Sequence, residues 1–72
     1  MSDKTIAMIE GLAKLGAMIC ITSEDGQFYV AIVYEAIGSA RADTIDAAFA
    51  EAKQMFKHDL EARYHARKAR TA

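Results

Sequence analysis

Seventy-two residues with one cysteine make one domain at most and allow no disulfide within these residues, and Cys20, His58 and His65 have no spacing of the kinds that usually hold a structural zinc. Hydrophobic residues make up 53% of the chain and charged residues 26%, which is a globular composition and not a disordered one. The net charge of −1 hides an uneven distribution: residues 1–56 hold four basic and eight acidic groups, and residues 57–72 hold five basic and two acidic ones.

The first element is a helix from Asp3 to Leu15. Ile6, Ile9, Leu12 and Ala13 recur at helical spacing, with Met8 and Leu15 alongside. Ser2 or Asp3 is placed to accept from the free N–H groups of the first turn, and Gly16 stands where a left-handed C-terminal cap belongs. Gly11 inside the pattern costs about 1 kcal/mol relative to Ala. It marks either a close approach of a strand or a weak point in the helix.

The period then changes to two. Ala17–Ser23 and Phe28–Ala36 are rich in β-branched and aromatic residues, with Asp25-Gly26 between them. Asp-Gly is a strong hairpin signal, because a type I′ turn needs positive φ at both central residues. With that dipeptide at the tip, Ser23 pairs with Phe28, Ile21 with Val30, Ile19 with Ile32 and Ala17 with Tyr34. These residues form one nearly apolar face that helices must cover. The other face reads Met18, Cys20, Thr22, Glu24, Gln27, Tyr29, Ala31, Val33 and Glu35, more apolar than a solvent-facing sheet surface normally is.

Residues 37–42, Ile-Gly-Ser-Ala-Arg-Ala, read as a link to the last helix. Asp43 is the expected N-cap, and Asp46 lies in the first turn near the positive end of the helix dipole. Ile45, Ala48, Phe49, Ala52, Phe56, Leu60 and Tyr64 then fall three or four apart, which predicts a long helix running to about residues 66–69 and a frayed basic tail over residues 67–72. The expected fold is α+β: a single domain over residues 1–72, a helix, a β-hairpin and a long helix (αββα), with both helices on one face of the sheet.

Little in this order supports catalysis. Cys20 sits mid-strand, where a small buried hydrophobe is common. His58 and His65 lie seven apart, not at the four-residue spacing of helical metal pairs. Gly38-Ser39 is an isolated dipeptide and not a phosphate loop. With no nucleophile–base pair and a chain too short for a deep cleft, the expectation is a non-enzyme without cofactor or metal. No apolar run approaches the ~20 residues that span a bilayer. The opening Met-Ser-Asp-Lys lacks the charged and apolar regions of a secretion signal, so a cytoplasmic protein of a bacterium or phage-infected host is expected.

Two surfaces are candidates for binding. The half-apolar sheet face (Met18, Cys20, Tyr29, Ala31 and Val33), together with Leu60 and Tyr64 beyond the reach of a short sheet, suits contact with a protein partner. The free edges of a two-stranded hairpin also suit pairing of two copies into a four-stranded sheet, and a homodimer is expected. Arg63, Arg67, Lys68 and Arg70 suit contact with phosphates or an acidic patch, and nucleic-acid binding through the basic helix end is the alternative reading. A pI near 6.0 is far from the basic balance usual for that class.

The stretch Asp25-Gly26-Gln27-Phe28-Tyr29-Val30-Ala31, followed by Gly38 and then Asp43-Thr44-Ile45-Asp46-Ala47-Ala48-Phe49-Ala50-Glu51-Ala52, resembles HicB-type antitoxins over about a third of the chain. Such a resemblance implies a protein that binds and neutralises a small toxin. The family's proline-rich link is replaced here by Glu35-Ala36-Ile37, and a helix leads where the family begins with a strand. The element order is also similar to a shortened double-stranded-RNA-binding domain, although that family presents lysines where Asp43 and Asp46 stand. In size and style the chain resembles the small cofactor-free inhibitors of mobile elements, anti-CRISPR proteins among them, which act by occluding a host complex.

Overall fold

The computed structural model describes residues 1–71, with side chains over residues 1–69. Helix α1 spans Asp3–Lys14. Ser2 is its N-cap, with Oγ accepting from the Thr5 N–H at 3.2 Å. At the other end the Gly16 N–H donates to the Ala13 carbonyl at 3.0 Å and the Ala17 N–H to the Leu12 carbonyl at 3.1 Å. This pair of bonds needs a left-handed residue between them, and Gly16 supplies it at φ +92°. Gly11 has open space where a side chain would stand, so it marks no close approach; it is the weak point of α1.

Strands β1 (Met18–Glu24) and β2 (Gln27–Val33) form the hairpin. Asp25 at φ +52° and Gly26 at φ +76° make the expected turn, and the register pairs Ser23 with Phe28, Ile21 with Val30 and Ile19 with Ile32. β2 stops at Val33, short of the Ala36 that its composition suggested.

The link expected over residues 37–42 is in fact a third strand, β3 (Ile37–Ala42), antiparallel to β2, so the sheet order is β1-β2-β3. After Ile37 its residues are poor strand formers, and pairing with β2 overrides that preference. The inward positions are small, Gly38, Ala40 and Ala42, because the last helix lies directly over them. A Cβ added at Gly38 would fall 2.6 Å from the Phe56 Cβ and nearer still to the Ala52 carbonyl and Phe56 amide. Because β3 occupies one edge of the hairpin, edge pairing of two copies would give six strands, not four.

Helix α2 runs over Ile45–Thr71. Its cap is Thr44 and not the expected Asp43: Thr44 Oγ1 accepts from the Ala47 N–H at 3.1 Å, and the Thr44 carbonyl from the Ala48 N–H at 3.0 Å. The Asp43 carboxylate instead accepts from Gln27 Nε2 at 3.4 Å, back toward the hairpin. Both helices lie on one face of the sheet. The core between layers holds Val30, Ile32, Ala36, Ala48, Phe49, Ala52 and Phe56, flanked by half-buried Met8, Ile9, Leu12 and Leu60.

Both helices start at the turn end of the sheet, where the Ser2 N–H donates to Asp46 Oδ1 at 2.9 Å and ties α1 to the first turn of α2. The helix of 27 residues is about 40 Å long at ~1.5 Å per residue, against roughly 20–23 Å for strands of six or seven. α2 therefore overruns the open end of the sheet, and residues 61–69 are all exposed. The overhang gives a molecule of 47 × 24 × 16 Å with a radius of gyration of 13.4 Å, where a compact chain of this length would have about 11 Å.

Candidate functional site

Side chains alternate across a strand, so the face turned away from the helices follows from the register. It carries three rows: Met18, Val33 and Ile37 at the open end; Cys20, Ala31 and Ser39 in the middle; Thr22, Tyr29 and Arg41 toward the turn. The middle row carries only small side chains, between larger ones at Met18, Val33, Ile37, Tyr29 and Arg41. No helix covers this face. Met18 is 62% exposed, Ile37 53% and Tyr29 37%, while Ala31 and Val33 are half-buried between their neighbours.

The five sheet residues expected to bind a partner thus share one continuous surface. Ile37, Ser39 and Arg41 join them and were missed, because residues 37–42 read as a link. The signal was present in the alternation of Gly38, Ala40 and Ala42 with Ile37, Ser39 and Arg41. Cys20 was expected to be buried, and it is exposed. Its strand position is as foreseen, but it faces the layer that lacks a helix.

Leu60 and Tyr64 lie in the helix layer, at the same open end but across the sheet from these rows. Leu60 packs partly on the core, whereas Tyr64 is 59% exposed with its ring edge-on to His65 at 5.8 Å and 71°. Beneath the overhang is a cleft of about 340 Å³ lined by Glu35, Leu60, Glu61, Arg63, Tyr64 and Arg67. Arg63 and Arg67 therefore sit beside Tyr64. Lys68 is exposed on the same helix end, and the Arg70 side chain lies outside those described.

Asp59 holds the root of the overhang to the sheet. Its Oδ2 accepts from the Ile37 N–H at 2.9 Å and from Arg63 Nε at 2.9 Å. The Ile37 amide first, and then Arg63, hold its carboxyl below the usual carboxylate range. Asp46 is likewise held low, by the Ser2 amide and then the Thr5 hydroxyl. A lowered folded-state value means that these contacts contribute fully above the unfolded value of about 4 and are lost as pH falls through the folded value. Acid titration followed by circular dichroism is therefore expected to show destabilisation beginning below about pH 4. Asp59→Asn is expected to be less stable than wild type at pH 7, with the difference shrinking at low pH.

Glu24, Asp25, Asp43 and Asp46 gather at the turn end, while Arg63, Arg67 and Lys68 project at the other. Among the described residues no helix is long and apolar enough to cross a membrane. Compared with protein-family models, curated proteins and solved structures, the chain has no significant match.

Proposed function

We propose that this protein is a non-catalytic binding module that inhibits or regulates a bacterial macromolecular complex by stoichiometric contact. The observation that carries the reading is the uncovered sheet face, where Met18, Ile37 and Tyr29 stand exposed on a rigid strand scaffold. Contiguous exposed apolar surface of this kind is costly unless something covers it in use. The resemblance of residues 25–31 and 43–52 to HicB-type antitoxins supports the same mode, since that family neutralises its target by binding it. A cytoplasmic site of action belongs to this proposal.

Nucleic-acid binding through Arg63, Arg67, Lys68 and Arg70 is the second reading, favoured by the projection of this basic end clear of the acidic body. Against it, Asp43 and Asp46 stand at the start of α2, where phosphate would otherwise be attracted by the helix dipole.

Capture from a bacterial lysate with the tagged protein, with and without nuclease and at two salt concentrations, tests both. A discrete protein retained through nuclease and salt, and lost with Tyr29→Asp at unchanged helical circular dichroism, is the expected result. Retention by Tyr29→Asp would sink the assignment of the sheet face. Material lost to nuclease or moderate salt would move function to the basic end.

A further inference from the structure

We infer that the overhang of α2 is a homodimer interface in which two copies pack residues 60–69 antiparallel about a two-fold axis near Tyr64. This surface is separate from the sheet face proposed above to meet a target. The first support is geometric. A helix normally keeps its ends packed or short, yet here α2 continues about 16 Å past Leu60, at ~1.5 Å per residue, with residues 61–69 all exposed. Helical stability comes mostly from tertiary packing, and the apolar packing described for this segment lies in the cleft at its root.

The second support is the order of charges. Glu35 and Glu61 lie at the root of the overhang, where Asp59 is already paired with Arg63, and Arg67 and Lys68 lie toward its tip. An interface between identical copies must complement itself. Antiparallel pairing centred on residue 64 sets Arg67 of one copy opposite Glu61 of the other and Lys68 opposite Leu60, where its aliphatic stem can lie. A parallel pairing would bring like charges together. Phosphates entering the cleft would meet Glu35 and Glu61, so the mixed lining fits a second copy better than nucleic acid.

The third support is apolar exposure around the axis. Tyr64 would meet its own counterpart. The tip of each helix would reach the open end of the other body, where Leu15 is 63% exposed and Tyr34 46%. The two helix ends bury less than the ~1,200 Å² at the low end of stable specific complexes, so dissociation in the micromolar range or weaker is expected.

Sedimentation equilibrium on the full chain from about 10 µM to about 1 mM tests the inference. Wild type is expected to show reversible monomer–dimer exchange. Tyr64→Asp is expected to weaken it roughly tenfold or more with helical circular dichroism unchanged. Arg67→Glu and Glu61→Arg are each expected to weaken it, and the double variant to recover most of the loss, because the swapped charges again face one another across the axis. Tyr29→Asp, on the sheet face, is expected to dimerise as wild type does, so loss of target and loss of dimer are read separately. A protein that remains monomeric at the highest concentration overturns the inference. So does a dimer indifferent to Tyr64→Asp, or a double variant that recovers nothing.

Discussion

Replacement of Gly38 by Val is expected to leave the protein largely unfolded at room temperature. The inner side of β3 rests against α2 so closely that a Cβ at this position would press on the Ala52 carbonyl and on the Phe56 backbone. These are main-chain atoms of a regular helix, and no rotamer change can move them aside. The strand and helix must separate, which opens the core at Ala52 and Phe56. Overpacking of ordinary cores costs about 1–3 kcal/mol, and an obstruction by backbone belongs at or above the upper end. A single small core supplies only ~3–5 kcal/mol in total. Urea unfolding followed by far-ultraviolet circular dichroism measures the loss, and a cooperative transition near that of wild type would show that β3 and α2 are less tightly apposed. Gly11→Ala is the matching control. Its position in α1 opens on empty space, so Ala there is expected to stabilise by up to about 1 kcal/mol.

The second large effect is expected at Phe49. It is wholly buried and is the largest of the fully buried side chains, lying between α2 and the central strand with Val30 and Ile32. Phe→Ala at such a site removes the transfer energy of the ring and leaves a cavity, together about 3–5 kcal/mol. That equals the stability available to a core of this size, so Phe49→Ala is expected to show no cooperative thermal transition. Met55→Ala, on the same helix but 54% exposed, is expected to change stability by less than about 0.5 kcal/mol. If the two variants melted alike, the core would not lie where the buried residues place it.

What could be read from residues alone was governed by local chemistry. Asp25-Gly26 specified a turn whose backbone angles only certain residues accept, and the register of β1 and β2 followed from it. Ser2 and Gly16 marked both ends of α1 for the same kind of reason. The third strand was hidden because Gly38, Ala40 and Ala42 are small for α2's sake, and small residues lack the signature of a strand. The cap of α2 was displaced by one residue, since Asp43 and Thr44 are both good caps and only the tie between Gln27 and Asp43 separates them. On the candidate site, Met18, Cys20, Tyr29, Ala31 and Val33 were placed together by alternation alone. Cys20 is exposed because it lies on the face opposite the one that helices were expected to cover, although a mid-strand cysteine is more often buried.

The meander also sets how the chain finds its structure. Turns of two residues (Asp25-Gly26) and three residues (residues 34–36) join the strands, and only Asp43 and Thr44 separate β3 from α2. Most contacts from β1 to α2 therefore join elements adjacent in the chain, with α2 reaching back past β3 to β2, and this order favours early formation of the hairpin and its neighbours. Helix α1 is the exception. Its tie from Ser2 to Asp46 spans 44 residues, and its packing on the sheet is slight. It is the segment placed to dock last and to detach first, so hydrogen exchange in the native state should begin there while β2 and the first half of α2 stay protected.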